Sequence, residues 1–228
     1  MGELTIIRTV AGLDIGQRND WTALAVVWED SENTLTLVAL ERVRHMSYPA
    51  VADLVHDTMQ ALGHPTLLVD VTGVGRPVCD LLTRKGVYHI RINIHGGNAV
   101  TTLDDGTQSI PKRDLIGALV VGFESKRLKI AAGLRHVEHL EREAQAFQMK
   151  LSASGHDSYN AREGEHDDLL LAVALPVWHL LMPSIAGAGL VLGRAAAGTP
   201  GPDRYVSTNG GPWRPARRRI TGLHDLFT

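Results

Sequence analysis

The chain has 228 residues, of which 44% are apolar and 21% charged, a composition typical of a globular protein with one sizeable domain. Its single cysteine, Cys79, excludes an intramolecular disulfide and a multi-cysteine zinc site, and we expect a buried structural thiol there. The formal net charge of −2 is uneven, because residues 183–228 carry +4 and residues 1–182 therefore carry −6.

The first part of the chain predicts a sheet built from consecutive strands. Residues 9–16, 22–29 and 34–43 are rich in strand-forming residues and are joined by short polar turns, which predicts an antiparallel meander. Apolar residues at three- and four-residue spacing predict a helix over 49–62. The short apolar run 66–71 is typical of a buried, parallel strand.

The second part predicts helices, further strands and a hairpin. The predicted elements are a helix over 75–85, a strand over 87–94, a hairpin over 98–110 marked by Asp104-Asp105-Gly106, a helix over 111–125, a strand over 127–130, and helices over 134–147 and 165–181. The order β-β-β-α-β-α-β, followed by helices, predicts an α/β domain with a mixed sheet over residues 1–182. Residues 183–228, rich in Gly, Ala, Pro and Arg, are predicted to form a flexible basic tail.

One uncharged segment, residues 169–193, is long enough to cross a bilayer of about 30 Å. Prolines and glycines interrupt it, and two aspartates precede it. We therefore predict a buried helix over 165–181, kinked at Pro176, and no membrane partner. Glu3 and Arg8 interrupt the first apolar stretch, so no signal peptide is visible and we expect a reducing, cytoplasmic setting.

Three short acidic stretches, far apart in the chain, are the strongest functional signal. Asp14 ends the first predicted strand, Asp70 ends the fourth, and Asp167 and Asp168 open the last helix. If the first and fourth strands are neighbours, both aspartates emerge at one end of the sheet, across which the last helix can lie. Carboxylates so close repel each other unless cations compensate, and a set of oxygen ligands favours Mg²⁺ or Mn²⁺.

Two such ions about 3.5–4 Å apart can activate a water and stabilise the leaving oxygen of a phosphodiester. The leading hypothesis is therefore metal-dependent hydrolysis of a phosphate ester. Each acid also has a plainer interpretation, since strand-end aspartates often stabilise turns and Asp167 or Asp168 can cap the last helix. A non-catalytic packaging or scaffold module, in which the aspartates merely cap elements, stays open at this point.

Several stretches accompany the acids: 12–16 and 20–24, 70–75, 111–115, 128–130, and 166–169. Together they resemble the nuclease domain of the large terminase subunit of tailed bacteriophages over roughly residues 9–180. The resemblance implies a ribonuclease H-like α/β fold, with a mixed sheet flanked by helices and an inserted hairpin. It also implies an endonuclease that cuts double-stranded DNA with two Mg²⁺ or Mn²⁺ ions while phage genomes are packaged.

The resemblance assigns roles to the acids. Asp14, Asp70 and one of the final pair become metal ligands and catalytic residues, and we favour Asp168 as the direct ligand, with Asp167 close by. An acidic body needs a basic rim to approach DNA, and such a rim contacts phosphates with little sequence preference. The best candidates for DNA contacts are Arg18, Asn19, Arg76, Lys112 and Arg113.

No phosphate-loop motif Gly-x4-Gly-Lys-Ser/Thr occurs in the sequence, so we expect a packaging ATPase to lie elsewhere. The partners implied by the resemblance are double-stranded DNA, a separate packaging ATPase, the portal protein and the small terminase subunit, in the host cytoplasm. One alternative is a Holliday-junction resolvase of the same fold. Another is an ATP-binding protein of the actin and sugar-kinase type, because Asp14-Ile15-Gly16 resembles its phosphate loop, although 228 residues are few for its two lobes.

Overall fold

The computed structural model describes residues 5–17, 20–154 and 167–182, with residues 148–154 described by their backbone alone. The described elements are, in chain order, β1 (Ile6–Asp14), β2 (Trp21–Asp30), β3 (Leu35–Arg44), α1 (Tyr48–Ala61), β4 (Thr66–Asp70), α2 (Gly75–Arg84), β5 (Ile90–His95), β6 (Thr101–Thr102), β7 (Gln108–Pro111), α3 (Lys112–Glu124), β8 (Leu128–Ile130), α4 (Val137–Ser154) and α5 (Asp168–Leu181). This order confirms the predicted α/β fold class, and the domain bounds of 1–182 stay a prediction.

The described strands form one mixed sheet in the order β6-β7-β5-β4-β1-β2-β3-β8. Strands β1, β2 and β3 are antiparallel, which confirms the meander, and β4 pairs in parallel with both β1 and β5. The hairpin is also confirmed, because β6 and β7 are antiparallel and Gly106 adopts the positive φ of +78° that its turn requires. The first and fourth strands are therefore neighbours, as the clustering of the acids requires.

The predicted strand over 87–94 begins later than expected, at Ile90. The cause is the end of α2, where the backbone N–H of Val87 donates to the carbonyl of Leu82 and closes the helix.

Cys79 is buried within α2, which confirms the expected structural thiol, and burial raises its pKa to about 11.

Each face of the sheet carries its own hydrophobic core. Helices α1 and α2 cover one face, and α3, α4 and α5 cover the other. Alternate strand residues point to opposite faces, so Ala11 and Leu13 of β1 enter the core beneath α1 and α2 while Val10 enters the core beneath α5. Asp14, at the end of β1, therefore points to the α5 side. By the same alternation Asp70 of β4 shares the side of Leu68, which is again the α5 side.

Helix α5 is buried over nearly its whole length, as expected, and runs as one helix through Pro176. The kink at Pro176 stays a prediction. In the described part of the chain, no helix combines the length and apolar character that crossing a bilayer requires. The predicted tail over 183–228, like Arg18 and Asn19, lies outside the described residues.

Candidate metal centre

The sheet brings Asp14 and Asp70 to the same edge. Strands β1 and β4 are parallel neighbours in which Leu13 pairs with Val69, so the residue that follows each of them leaves the sheet at the same end and on the same face. Helix α5 starts with Asp168, directly after Asp167, and packs on that face. Three separate parts of the chain thus deliver four carboxyl groups to one place.

The electrostatics of Asp14 reflect this convergence. Its side chain is 9% exposed and has no hydrogen bond or ion pair with any of the described residues. Burial raises the pKa of Asp14 well above its usual value, and the charges of Asp70, Asp168 and Asp167 raise that pKa further. The Lys112 ammonium opposes these effects. Asp14 is therefore the buried centre of an acidic cluster that attracts positive charge.

The other three acids have protein partners. The Asp70 carboxylate accepts from the Thr72 backbone N–H at 2.8 Å and from the Thr72 hydroxyl at 2.5 Å. Burial raises the pKa of Asp70, whereas these two hydrogen bonds and Lys112 lower it. Asp167 pairs with Lys112, and Asp168 pairs with Arg42 at 3.2 Å.

The set of ligand atoms suits a hard divalent cation, because it consists of carboxylate oxygens around a buried acid that has no hydrogen-bond partner within the described part of the chain. As the side chains stand, no three His, Cys, Asp or Glu groups among the described residues are close enough together to hold a metal ion. Asp70, Asp167 and Asp168 are each held by a protein partner, which is Thr72, Lys112 and Arg42 respectively. Metal binding at this cluster therefore requires some of these carboxylates to move closer together.

The structure also places a basic side chain, that of Lys112, beside the acids. Its side chain is 13% exposed and lies inside the acidic cluster, where it pairs with Asp167 and influences Asp14 and Asp70. The sequence indicated Lys112 only as a DNA contact, a role that stays a prediction, and did not indicate its position among the acids.

Two other DNA-contact candidates, Arg76 and Arg113, are more exposed. Arg76 pairs with Asp105 of the hairpin, and Arg113 donates to the Asn98 side chain at 2.6 Å.

The helix-cap interpretation of Asp167 is wrong, because Asp167 occupies the cap position of α5 but makes no side-chain capping hydrogen bond. The side chain faces Lys112 instead.

Sequence reasoning missed three residues that contact the acids or their partners: Thr72, Arg42 and Glu143. Thr72 follows Asp70 by two residues, a spacing at which an aspartate commonly accepts a local backbone hydrogen bond. No comparable local signal marks Arg42 or Glu143, which come from β3 and α4.

A family model described as a terminase RNaseH-like domain matches residues 11–177, most of the chain. This chain belongs to the terminase RNaseH-like family. The match confirms the resemblance and the ribonuclease H-like fold that it implied, and it gives no support to an actin- or sugar-kinase-type protein.

Solved structures agree on the fold of this terminase RNaseH-like domain. The large terminase nuclease from thermophilic phage G20c with bound cobalt is 18% identical, with a TM-score of 0.52, and the match covers 78% of this chain and 87% of that one. The same nuclease with bound magnesium gives the same values. A further structure of that nuclease is 16% identical, with a TM-score of 0.50 over 77% of this chain and 88% of that one. No curated protein sequence matches the chain significantly.

Proposed function

We propose that this chain is a divalent-metal-dependent endonuclease that cuts double-stranded DNA during phage genome packaging. The observation that carries the proposal is the convergence of Asp70, Asp167 and Asp168 on the buried Asp14, in a chain of the terminase RNaseH-like family. The family supplies the class of protein. The acidic cluster supplies the chemistry, because phosphodiester hydrolysis needs concentrated positive charge and these acids can hold it.

In this proposal Asp14, Asp70 and Asp168 are the direct ligands of two Mg²⁺ or Mn²⁺ ions, and Asp167 lies beside them. When bound, such ions supply the positive charge that activates an attacking water and stabilises the leaving oxygen. Support comes from Asp14, whose burial and acidic neighbours raise its pKa and make a neighbouring cation favourable. The metal-bound G20c terminase nuclease structures add support for divalent ions.

The protein's own groups prepare the site. Thr72 holds one oxygen of Asp70 through both its backbone N–H and its hydroxyl, and that hydroxyl also accepts the backbone N–H of Ile94 on β5 at 2.7 Å. The Asp70 carboxylate, at the end of β4, is thus tied through Thr72 to the neighbouring strand β5. Lys112 partly neutralises the cluster while ions are absent, and in the proposal its ammonium leaves Asp167 to bind a phosphate.

DNA must approach a domain whose first 182 residues carry −6, so local basic groups are needed around the cluster. In the proposal Arg76 and Arg113 contact backbone phosphates from the exposed surface, Arg18 and Asn19 do so from the first turn, and Lys112 joins them from within the cluster. Contacts of this type give little sequence preference. The packaging ATPase, the portal protein and the small terminase subunit are the proposed partners, in the host cytoplasm.

The direct test is cleavage of supercoiled plasmid by the purified full chain. We expect nicked and then linear DNA with Mn²⁺ or Mg²⁺, and none with EDTA. Asp70→Asn should abolish cleavage with an unchanged circular dichroism spectrum. A synthetic four-way junction is the second substrate, and cleavage of the junction without cleavage of duplex DNA would favour a resolvase instead. Full cleavage by the folded Asp70→Asn variant would remove the metal-site assignment.

A further inference from the structure

Arg42 of β3 joins two acids from distant parts of the chain. Its Nη2 atom lies 3.3 Å from Glu143 Oε1 on α4 and 3.2 Å from Asp168 Oδ2 at the start of α5. The side chains of Arg42 and Glu143 are only 7% and 6% exposed. The guanidinium carbon of Arg42 also lies 4.4 Å from the centre of the Trp21 ring. We call the contact of Arg42 with both acids the Arg42 bridge.

The Arg42 bridge is expected to add little net free energy to the stability of the fold. Desolvation of buried charges offsets much of their attraction, and well-packed apolar residues of similar volume are often equally stabilising. Moreover, Arg42 Nε and Glu143 Oε1 are buried without a hydrogen-bond partner among the described residues, although Glu143 Oε1 lies within ion-pair distance of Arg42. The stability of the fold alone therefore does not account for the bridge.

The Arg42 bridge also contacts the first turn of α5, through Glu143. Glu143 Oε2 accepts a hydrogen bond from the backbone N–H of Leu170, at 3.0 Å, in the first turn of the helix. Asp167 in the cap position makes no side-chain capping bond, so Glu143 caps α5 from a different helix. The same glutamate anchors Arg42, which in turn contacts Asp168. The helix start and the Asp168 carboxylate are thereby held by one set of contacts.

We propose that Arg42 is a positioning residue that holds Asp168 in the orientation needed to bind a divalent cation. The inference rests on the proposed function, in which Asp168 is a direct ligand. Glu143 and Trp21 fix the guanidinium, and the guanidinium fixes Asp168 through its Oδ2 atom. One guanidinium nitrogen contacts both carboxylates while the planar group lies against the Trp21 ring, an arrangement that the compact ammonium of lysine does not reproduce. The geometry therefore calls for arginine at position 42.

The test is calorimetric titration of the metal-free full chain with Mn²⁺ in the absence of DNA. Groups that orient metal ligands typically contribute about 10–100-fold in affinity, so Arg42→Gln should weaken Mn²⁺ binding by that factor. Arg42→Lys keeps the buried positive charge but loses the planar group held against Trp21, and we expect a loss of about tenfold. This second variant keeps the test decisive if Arg42→Gln does not fold.

Arg8→Gln is the matched control. Arg8 pairs with the buried Glu29, and its Nη2 atom donates to the carbonyl of Leu180, at the opposite end of α5 from Asp168. Its removal breaks an ion pair between β1 and β2 and a hydrogen bond to the far end of α5, so it should lower the unfolding midpoint but leave the Mn²⁺ affinity at the wild-type value.

The outcomes distinguish a failure of the positioning role of Arg42 from a failure of the metal centre. Wild-type Mn²⁺ affinity in folded Arg42→Lys and Arg42→Gln, or an equal loss in Arg8→Gln, overturns the positioning role while the nuclease assignment stands. The Asp70→Asn variant tests the centre itself: if it binds Mn²⁺ as well as the wild type does, the metal centre is wrong and the positioning role falls with it. Weaker binding in the Arg42 variants and in Asp70→Asn, but not in Arg8→Gln, supports both.

Discussion

Gly12 of β1 and Ala172 of α5 are in direct backbone contact. A Cβ atom at Gly12 would lie 2.2 Å from the Ala172 carbonyl oxygen and 2.6 Å from Cδ of Pro176. Proline at 176 has no N–H to donate to the carbonyl of residue 172, so this oxygen lacks its usual helical partner and faces the strand. The close approach seats α5 on β1 and so brings Asp168 toward Asp14.

Gly12→Ala should therefore disturb both the fold and the cluster. Overpacking of this kind costs about 1–3 kcal/mol of unfolding free energy, which urea denaturation measures, and the shifted helix should also lower plasmid cleavage. Gly117→Ala is the control, since a Cβ at this position of α3 meets no atom of the described residues within 4 Å. It should stabilise the protein by about 0.5–1 kcal/mol through helix propensity. A Gly12→Ala variant as stable as the wild type would contradict the contact.

Thr72 should matter to catalysis through Asp70. Thr72→Val removes the hydroxyl that donates to Asp70 and accepts from Ile94, while Thr72→Ser keeps it. We expect Thr72→Val to lose about tenfold in cleavage rate and in Mn²⁺ affinity, and Thr72→Ser to stay near wild type. Steady-state cleavage and calorimetry measure the two effects. Equal values for Thr72→Val and Thr72→Ser would exclude a role for the hydroxyl.

Lys112 should stabilise the metal-free protein. Its ammonium faces three carboxylates, so Lys112→Met increases the repulsion within the cluster and should lower the unfolding midpoint in EDTA. Mn²⁺ replaces the missing charge, so the Mn²⁺-induced rise in the midpoint should exceed that of the wild type. Arg113→Gln changes the next residue, whose partners are Asn98 and Asp114, and should leave both midpoints unchanged. A Lys112→Met midpoint equal to the wild type in EDTA would contradict the charge compensation.

The metal-free protein should lose stability as the pH rises. Burial raises the pKa of Glu143 from 4.5 to about 7, more than Arg42 lowers it, and burial also raises the pKa values of Asp14 and Asp70. Between the unfolded and folded pKa of Glu143 the native protein holds a proton that the unfolded chain has released. Raising the pH from 4.5 through 7 therefore removes up to about 3 kcal/mol of stability from this group.

Urea unfolding in EDTA at pH 5 and pH 8 measures this dependence. Glu143→Gln cannot titrate at this position, so its stability should change less between the two pH values than that of the wild type. Mg²⁺ should also reduce the loss at pH 8, because a cation favours the ionised aspartates. An equal pH dependence in the wild type and Glu143→Gln would show that Glu143 does not titrate in this range.

The sequence predicted the parts of the site that depend on strand direction. Asp14 and Asp70 end two apolar strands, and once β1 and β4 are parallel neighbours their carboxylates must share an edge of the sheet. The same reasoning predicted the buried last helix that brings in Asp168. These features follow from alternation and apolar runs, which are local properties of the chain.

The charge partners of the acids could not be predicted in this way. Arg42 precedes Glu143 by about a hundred residues, and Glu143 and Asp168 belong to different helices. The three meet only because α4 and α5 pack against the same face of the sheet. Lys112 was predicted from the sequence as a DNA contact, and no local signal indicated that its ammonium lies among the acids. Long-range packing decides both cases.

The central claim is that Asp14, Asp70 and Asp168 hold divalent ions. Anomalous diffraction from crystals of the full chain grown or soaked with Mn²⁺ tests it most directly. We predict two manganese peaks about 3.5–4 Å apart, with carboxylate oxygens of these three residues as ligands. The same crystals of Asp70→Asn should lose at least one peak. Well-ordered crystals in which manganese binds elsewhere and the Asp14 carboxylate has no metal neighbour would contradict the account.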